Sequence, residues 1–105
     1  MIGFNEPSRA LHADTHVETL TGRTRRANAR FFGSIANVPR RAITMGMGTI
    51  MKARKIILLA GSREKAEAIK RAVRGPVTPS VPASILQLHP DCTMLIDTSA
   101  ASGLT

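Results

Sequence analysis

The chain has 105 residues, with 15 Lys or Arg against 7 Asp or Glu, a net charge of +8, and a 43% share of hydrophobic residues. That length corresponds to one domain, residues 1 to 105, with a modest core, and the apolar share argues against disorder throughout. The longest unbroken apolar run, Ile56 to Ala60, is too short to span a bilayer, and the single cysteine, Cys92, excludes an intrachain disulfide framework.

Residues 1 to 20 read as irregular. Glu6 precedes Pro7 and is pushed out of the α region, and Thr15 to Leu20 is a poor strand. Thr21 can cap a helix that runs through the arginines 23, 25, 26 and 30 to Phe31 and Phe32, which are expected in the core, and Gly33-Ser34 ends it. After a loop around Asn37-Val38-Pro39, Ala42 to Met45 is a short strand. Gly46-Met47-Gly48-Thr49 then turns the chain into a short helical stretch through Ile50, Met51 and Ala53. Lys55 to Ala60 is the clearest strand, and its run of branched residues predicts cover on both faces, as in a parallel sheet. Gly61-Ser62 leads into a helix from Arg63 to about Arg74, stopped by Gly75-Pro76. A proline loop follows, then a short helix from Ser84 to Leu88 and a last buried strand from Thr93 to Ile96. This alternation is an α/β signature.

The strand–Gly–Ser–helix junction is the best site that periodicity offers by itself, because a helix start presents free N–H groups and attracts anions. With Ser62 as N-cap, Lys65 falls at the third helical position, where a cation opposes the helix dipole unless an anion is bound. It reads either as a phosphate contact or as a surface lysine paired with Glu64 or Glu67. Gly46-x-Gly48 lacks the third glycine of a dinucleotide fingerprint. His12, His16 and His89 share no metal-ligand spacing, and Cys92 reads as a small buried hydrophobe. No metal or organic cofactor is expected.

Charge distribution opens a second reading. All basic residues lie before Gly75, whereas positions 75 to 105 carry only Asp91 and Asp97. A basic module for nucleic acid or acidic surfaces is the alternative, although only Phe4, Phe31 and Phe32 are on hand for base stacking. Without a basic stretch and apolar core at the N-terminus, no secretory signal is read, and cytoplasm is the expected compartment.

Five segments together carry a family resemblance. They are Gly3-Phe4-Asn5-Glu6-Pro7, Thr24-Arg25 to Asn28-Ala29-Arg30-Phe31-Phe32, Ile43 to Ile50, Lys65 to Ile69, and Val81-Pro82-Ala83-Ser84-Ile85-Leu86-Gln87-Leu88-His89-Pro90. In order and spacing they resemble glucosamine-6-phosphate deaminase, and the likeness covers essentially the whole chain as a C-terminal half. The resemblance implies a partial Rossmann-like α/β/α sandwich with a mostly parallel sheet. It also implies an enzyme of amino-sugar catabolism that converts glucosamine 6-phosphate and water to fructose 6-phosphate and ammonia without a cofactor.

Position by position, Glu6 matches the acid that supports the ring-opening histidine, a pairing that stabilises the charged imidazole. Arg30 and Lys65 match residues that bind the substrate's phosphate, where Arg adds a forked contact. The family motif Asp-Gly-His-Ile-Gly-Phe-Asn-Glu-Pro meets Met1 at the histidine position, so the resemblance implies an incomplete site and no turnover by the chain alone. The expected partners are glucosamine 6-phosphate, further copies in an oligomer, and an N-terminal half, while neither membrane nor nucleic acid is expected. A non-functional gene fragment is a further alternative. Asp14 and Glu18 stand in the segment where enteric members place basic effector contacts, so effector control is not implied.

Overall fold

The computed structural model describes residues 2 to 104, so the expectation at Met1 lies outside the described residues. Strands and helices follow in the order β1 (His16–Thr19), α1 (Gly22–Asn28), β2 (Arg41–Thr44), α2 (Met47–Met51), β3 (Ile56–Ala60), α3 (Ala66–Arg74) and β4 (Cys92–Ile96). Short 3-10 segments at Ala29–Phe31, Ile35–Asn37, Arg63–Lys65, Pro82–Leu88 and Ser102–Leu104 join or extend them.

The α/β expectation holds, with β3 and β4 forming a parallel ladder in which Ile56 pairs with Cys92 and Ala60 with Ile96. The other ladder is antiparallel. β1 pairs with β2 from His16 against Thr44 to Thr19 against Arg41, and the Leu20 N–H extends it to the Arg40 carbonyl at 2.8 Å. The stretch read as a poor strand becomes one because a distant partner supplies the hydrogen bonds that its own composition does not promise.

Thr21 caps α1 as its sequence suggests, its hydroxyl accepting the Thr24 N–H at 3.2 Å. The helix stops at Asn28, earlier than expected, and tightens into the 3-10 turn at Ala29–Phe31. That change of pitch turns Phe31 outward, 67% exposed, and leaves Phe32 exposed as well, so neither joins the core. Of the arginine cluster, Arg25 turns inward, its Nη2 donating to the carbonyls of Ile35 at 3.0 Å and Val38 at 3.3 Å. At least this member of the cluster is therefore structural.

Gly46 and Gly48 have a packing reason. The Met47 and Thr49 N–H groups at the start of α2 donate to the carbonyls of His12 and Ala13 at 2.8 and 3.1 Å. The backbone of residues 12 to 14 lies so close that a Cβ at position 46 would fall on Ala13 and the Asp14 carbonyl. One at position 48 would sit 2.9 Å from the Ala13 Cβ. The pair admits a passing chain, not a nucleotide.

The β3–β4 ladder is covered on one face only. Ile56 is buried on one face, and α3 packs on the Pro82–Leu88 segment, where Ile69, Ala72 and Leu86 are buried too. The opposite face is bare, with Ile57, Leu59 and Leu95 exposed, Leu59 to 74%. The two-sided burial expected of β3 is thus not met, because no layer of the described residues lies on that side. β1 and β2 likewise present Val17 and Ile43, paired side by side, to solvent. The helix expected at Ser84 to Leu88 is a 3-10 segment that begins at Pro82.

Candidate functional site

Three sequence-derived positions, Glu6, Arg30 and Lys65, are held by different parts of the fold. Glu6 belongs to a turn locked against the end of β2. Gly3 takes φ +56°, a conformation that favours glycine, and a Cβ there would crowd the Thr44 hydroxyl at 3.0 Å. The same hydroxyl accepts the Phe4 N–H at 3.1 Å. Asn5 is 1% exposed and donates its amide to the carbonyls of Ile2 at 3.0 Å and Met45 at 2.8 Å. Asn5 therefore clips the turn to the chain just beyond β2.

This clip delivers Glu6, 5% exposed, to the N-terminus of α1. Its Oε2 accepts the Thr21 N–H at 2.6 Å, and the Thr24 hydroxyl donates to both carboxylate oxygens at 3.0 Å. A carboxylate suits this place, since the helix start carries partial positive charge and unpaired N–H groups. The acid predicted to support a histidine here anchors a helix.

Arg30 is exposed on the 3-10 turn after α1, its guanidinium carbon 4.7 Å from the centre of the Phe31 ring. Lys65 is exposed at the end of the 3-10 turn Arg63–Lys65, just beyond the C-terminal end of β3. The alternative pairing of Lys65 with Glu64 or Glu67 is not formed, since the ion pair among the described residues is His16 with Glu18. No hydrogen bond or ion pair joins Glu6, Arg30 and Lys65 to one another among the described residues.

Ser62 does not cap through its side chain. It sits at φ +77°, and its N–H donates to Oδ2 of Asp97 at 3.0 Å. Asp97 follows β4, and its Oδ1 accepts the Ala100 N–H at 2.8 Å. The bonds from the Ala100 and Ser62 amides hold the Asp97 carboxyl below its usual range. Sequence reading missed Asp97; the available signal was an acid directly after the last strand, at the sheet edge where α/β proteins place ligands.

The Leu-Gln-Leu-His segment is architectural. Leu86 is buried, and Gln87 donates its amide to the carbonyls of Ala72 at 2.7 Å and Gly75 at 3.0 Å, closing the end of α3. His89 Nδ1 accepts the Asp91 N–H at 3.0 Å, which leaves Nε2 to donate to the Ala53 carbonyl at 2.7 Å. Cys92 is half-buried, and burial, with a contribution from the Asp91 charge, pushes its thiol up, as suits a packing residue.

His16 donates to two acceptors, the Asp14 carbonyl at 2.8 Å and the Glu18 carboxylate at 2.7 Å, with the His12 ring centred 4.3 Å away. Those bonds, the carbonyl first, raise its pKa. The stabilisation is complete below the ordinary histidine value, about 6.5, and is lost as pH rises through the higher folded value. Urea midpoints of the wild type should therefore fall over that interval, and a Glu18→Gln variant should show a smaller fall. Equal slopes would remove the Glu18 contribution.

No family model matches the chain. Individual proteins do. The chain is 58% identical over 101 residues to the glucosamine-6-phosphate deaminase of Thermoanaerobacter pseudethanolicus, covering 96% of this chain and 40% of that protein. Identity with the deaminase of Oenococcus oeni is 49% over 104 residues, covering 99% of this chain and 44% of the relative. A solved structure described as a monomeric glucosamine-6-phosphate deaminase of the NagB superfamily superposes with a TM-score of 0.90 at 48% identity. It covers 95% of this chain and 42% of its own.

This segment is homologous to the glucosamine-6-phosphate deaminases.

It spans about 40% of the length of the deaminases it matches. The likeness extends to the backbone. The basic-module alternative draws no support from these deaminases. No helix among the described residues is long and apolar enough to cross a membrane.

Proposed function

We propose that this chain carries part of a glucosamine-6-phosphate deaminase site: the phosphate contacts Arg30 and Lys65, and the supporting carboxylate Glu6. The observation that carries the reading is Lys65, exposed and without an acidic partner among the described residues, at the C-terminal end of a parallel ladder. A cation there is offset by a bound phosphate dianion, and Arg30 adds a bidentate contact. The whole reaction takes glucosamine 6-phosphate and water to fructose 6-phosphate and ammonia. The pyranose ring opens, a carboxylate carries a proton from C2 to C1, and water adds to the resulting imine at C2 as ammonia leaves. Glu6 supports the ring-opening histidine from beside α1. Its two oxygens have about four acceptor positions, so the bonds from Thr21 and Thr24 leave room for an imidazole N–H.

The proton-transferring Asp and the ring-opening His belong to polypeptide outside these 105 residues. The bare faces bearing Ile57, Leu59 and Leu95, and Val17 and Ile43, are covered by that same polypeptide. Its cover supplies the burial that the apolar run of β3 encodes. The setting is cytoplasmic amino-sugar breakdown.

Calorimetric titration of the chain with glucosamine 6-phosphate and with glucosamine tests the phosphate contacts. Binding should require the phosphate, and Lys65→Ala or Arg30→Ala should each weaken it by roughly tenfold or more, the worth of one charge-assisted bond. Equal binding of both sugars would sink the assignment. Ammonia release should be absent for the chain alone and should appear when a polypeptide spanning the remaining part of a deaminase is added.

A further inference from the structure

Ser62 is the described non-glycine residue with positive φ, at +77°. Such a backbone is strained, and it persists only where its surroundings over-determine it. Both sides of Ser62 are tied. Its N–H donates to Asp97 Oδ2 at 3.0 Å, and its carbonyl accepts the Lys65 N–H at 3.2 Å. Oδ2 of Asp97 also lies 3.0 Å from where a Cβ on Gly61 would stand, so the carboxylate packs directly against the strand exit. Asp97 is in turn fixed by the Ala100 N–H on Oδ1 and by the Ala101 N–H on its own carbonyl at 3.0 Å. The end of β4 thus grips the end of β3 across 35 residues of sequence, at the residue whose carbonyl closes the turn ending in Lys65.

We propose that Asp97 is a positioning residue for Lys65: by holding Ser62 in its strained conformation it aims the lysine at the substrate's phosphate. The inference rests on Lys65 being a phosphate contact, as put forward above. Asp97 touches no substrate in this role. Its negative charge is spent on backbone amides, which is compatible with an anion bound beside it. Without the carboxylate, Ser62 relaxes toward negative φ, the 3-10 turn rotates, and the lysine loses its aim. A glycine at position 62 takes positive φ at no steric cost, so it loses much of that drive to relax.

Amide NMR of the 105-residue chain, titrated with inorganic phosphate, tests this. Phosphate should shift the Ser62 to Lys65 amides in the wild type, and Lys65→Ala should abolish the response. Asp97→Asn should weaken phosphate binding by roughly fivefold, the worth of one ordinary hydrogen bond. It should also speed Ser62 amide exchange while leaving Ala72 in α3 unchanged. Made in a Ser62→Gly background, the same change should cost less than half as much in affinity, a rescue that a purely structural role for Asp97 would not produce. If Lys65→Ala abolishes binding but Asp97→Asn leaves affinity and Ser62 exchange untouched, the positioning role is wrong and the phosphate site stands. If Lys65→Ala leaves binding unchanged, the phosphate site itself is wrong and the positioning role falls with it.

Discussion

Replacing Gly46 with alanine should destabilise the chain by about 3 kcal/mol, the upper end of what overpacking usually costs. The reason is the identity of the colliding atoms. The new Cβ meets the backbone of Ala13 and the Asp14 carbonyl, not the end of a flexible side chain. Relief requires the 12–14 segment to withdraw, and that segment's carbonyls accept the Met47 and Thr49 N–H groups at the start of α2. One methyl group therefore threatens both packing and two hydrogen bonds. For a domain of this size the expected drop in melting temperature is roughly 10 to 20 °C. Gly22→Ala is the matched control. Its Cβ would meet only the Arg26 guanidinium, at 3.2 Å, and that side chain is free to move aside. The control should be neutral or slightly stabilising, because alanine narrows the unfolded ensemble. Equal melting temperatures for the two variants would contradict the close approach of the two segments.

Removing the Glu6 carboxylate should cost a similar amount. Glu6→Ala deletes the acceptor for the Thr21 N–H and the Thr24 hydroxyl at the start of a seven-residue helix. Helices this short are unstable alone and depend on their caps and contacts. Hydrogen bonds to a charged group contribute about 1.5 to 3 kcal/mol each and do not simply add, so a loss of about 3 kcal/mol is expected. Glu6→Gln should cost about 1 kcal/mol, because the amide keeps one acceptor oxygen and the Thr24 hydroxyl can turn to accept from its NH₂ group. Urea unfolding should rank wild type above Glu6→Gln and Glu6→Gln above Glu6→Ala, with faster Arg25 amide exchange in the alanine variant. If the two variants unfold together at the wild-type midpoint, the carboxylate is not anchoring α1. Glu6 then has a double character. The side chain proposed to steady a catalytic histidine also fastens the helix that leads to Arg30, so altering it perturbs chemistry and support together.

Several features were legible directly. The cap at Thr21, the strand at Ile56–Ala60 and the turn at Gly61-Ser62 depend on residues a few positions apart, where propensity, capping and backbone freedom act locally. The roles proposed for Glu6, Arg30 and Lys65 come through the motif resemblance, in which Phe-Asn-Glu-Pro and Leu-Gln-Leu-His-Pro are distinctive strings. Their periodicity alone would have left Lys65 an ordinary surface lysine. The exposure of Phe31 and Phe32 was not legible, because the switch from α to 3-10 pitch after Asn28 rotates both rings away from the expected face.

By itself, then, the sequence determined the α/β alternation, the start of α1, the end of α3 and the likeness to the deaminases. Tertiary structure alone decided the antiparallel pairing of β1 with β2, the packing reason for Gly46, the bond from Thr24 to Glu6 and the grip of Asp97 on Ser62. Each of these joins residues far apart along the chain, and a short window of sequence specifies one partner without specifying the other. The bare face of β3 shows the same division. An apolar run encodes the need for cover on both sides, but which polypeptide provides that cover is settled only by how the layers assemble.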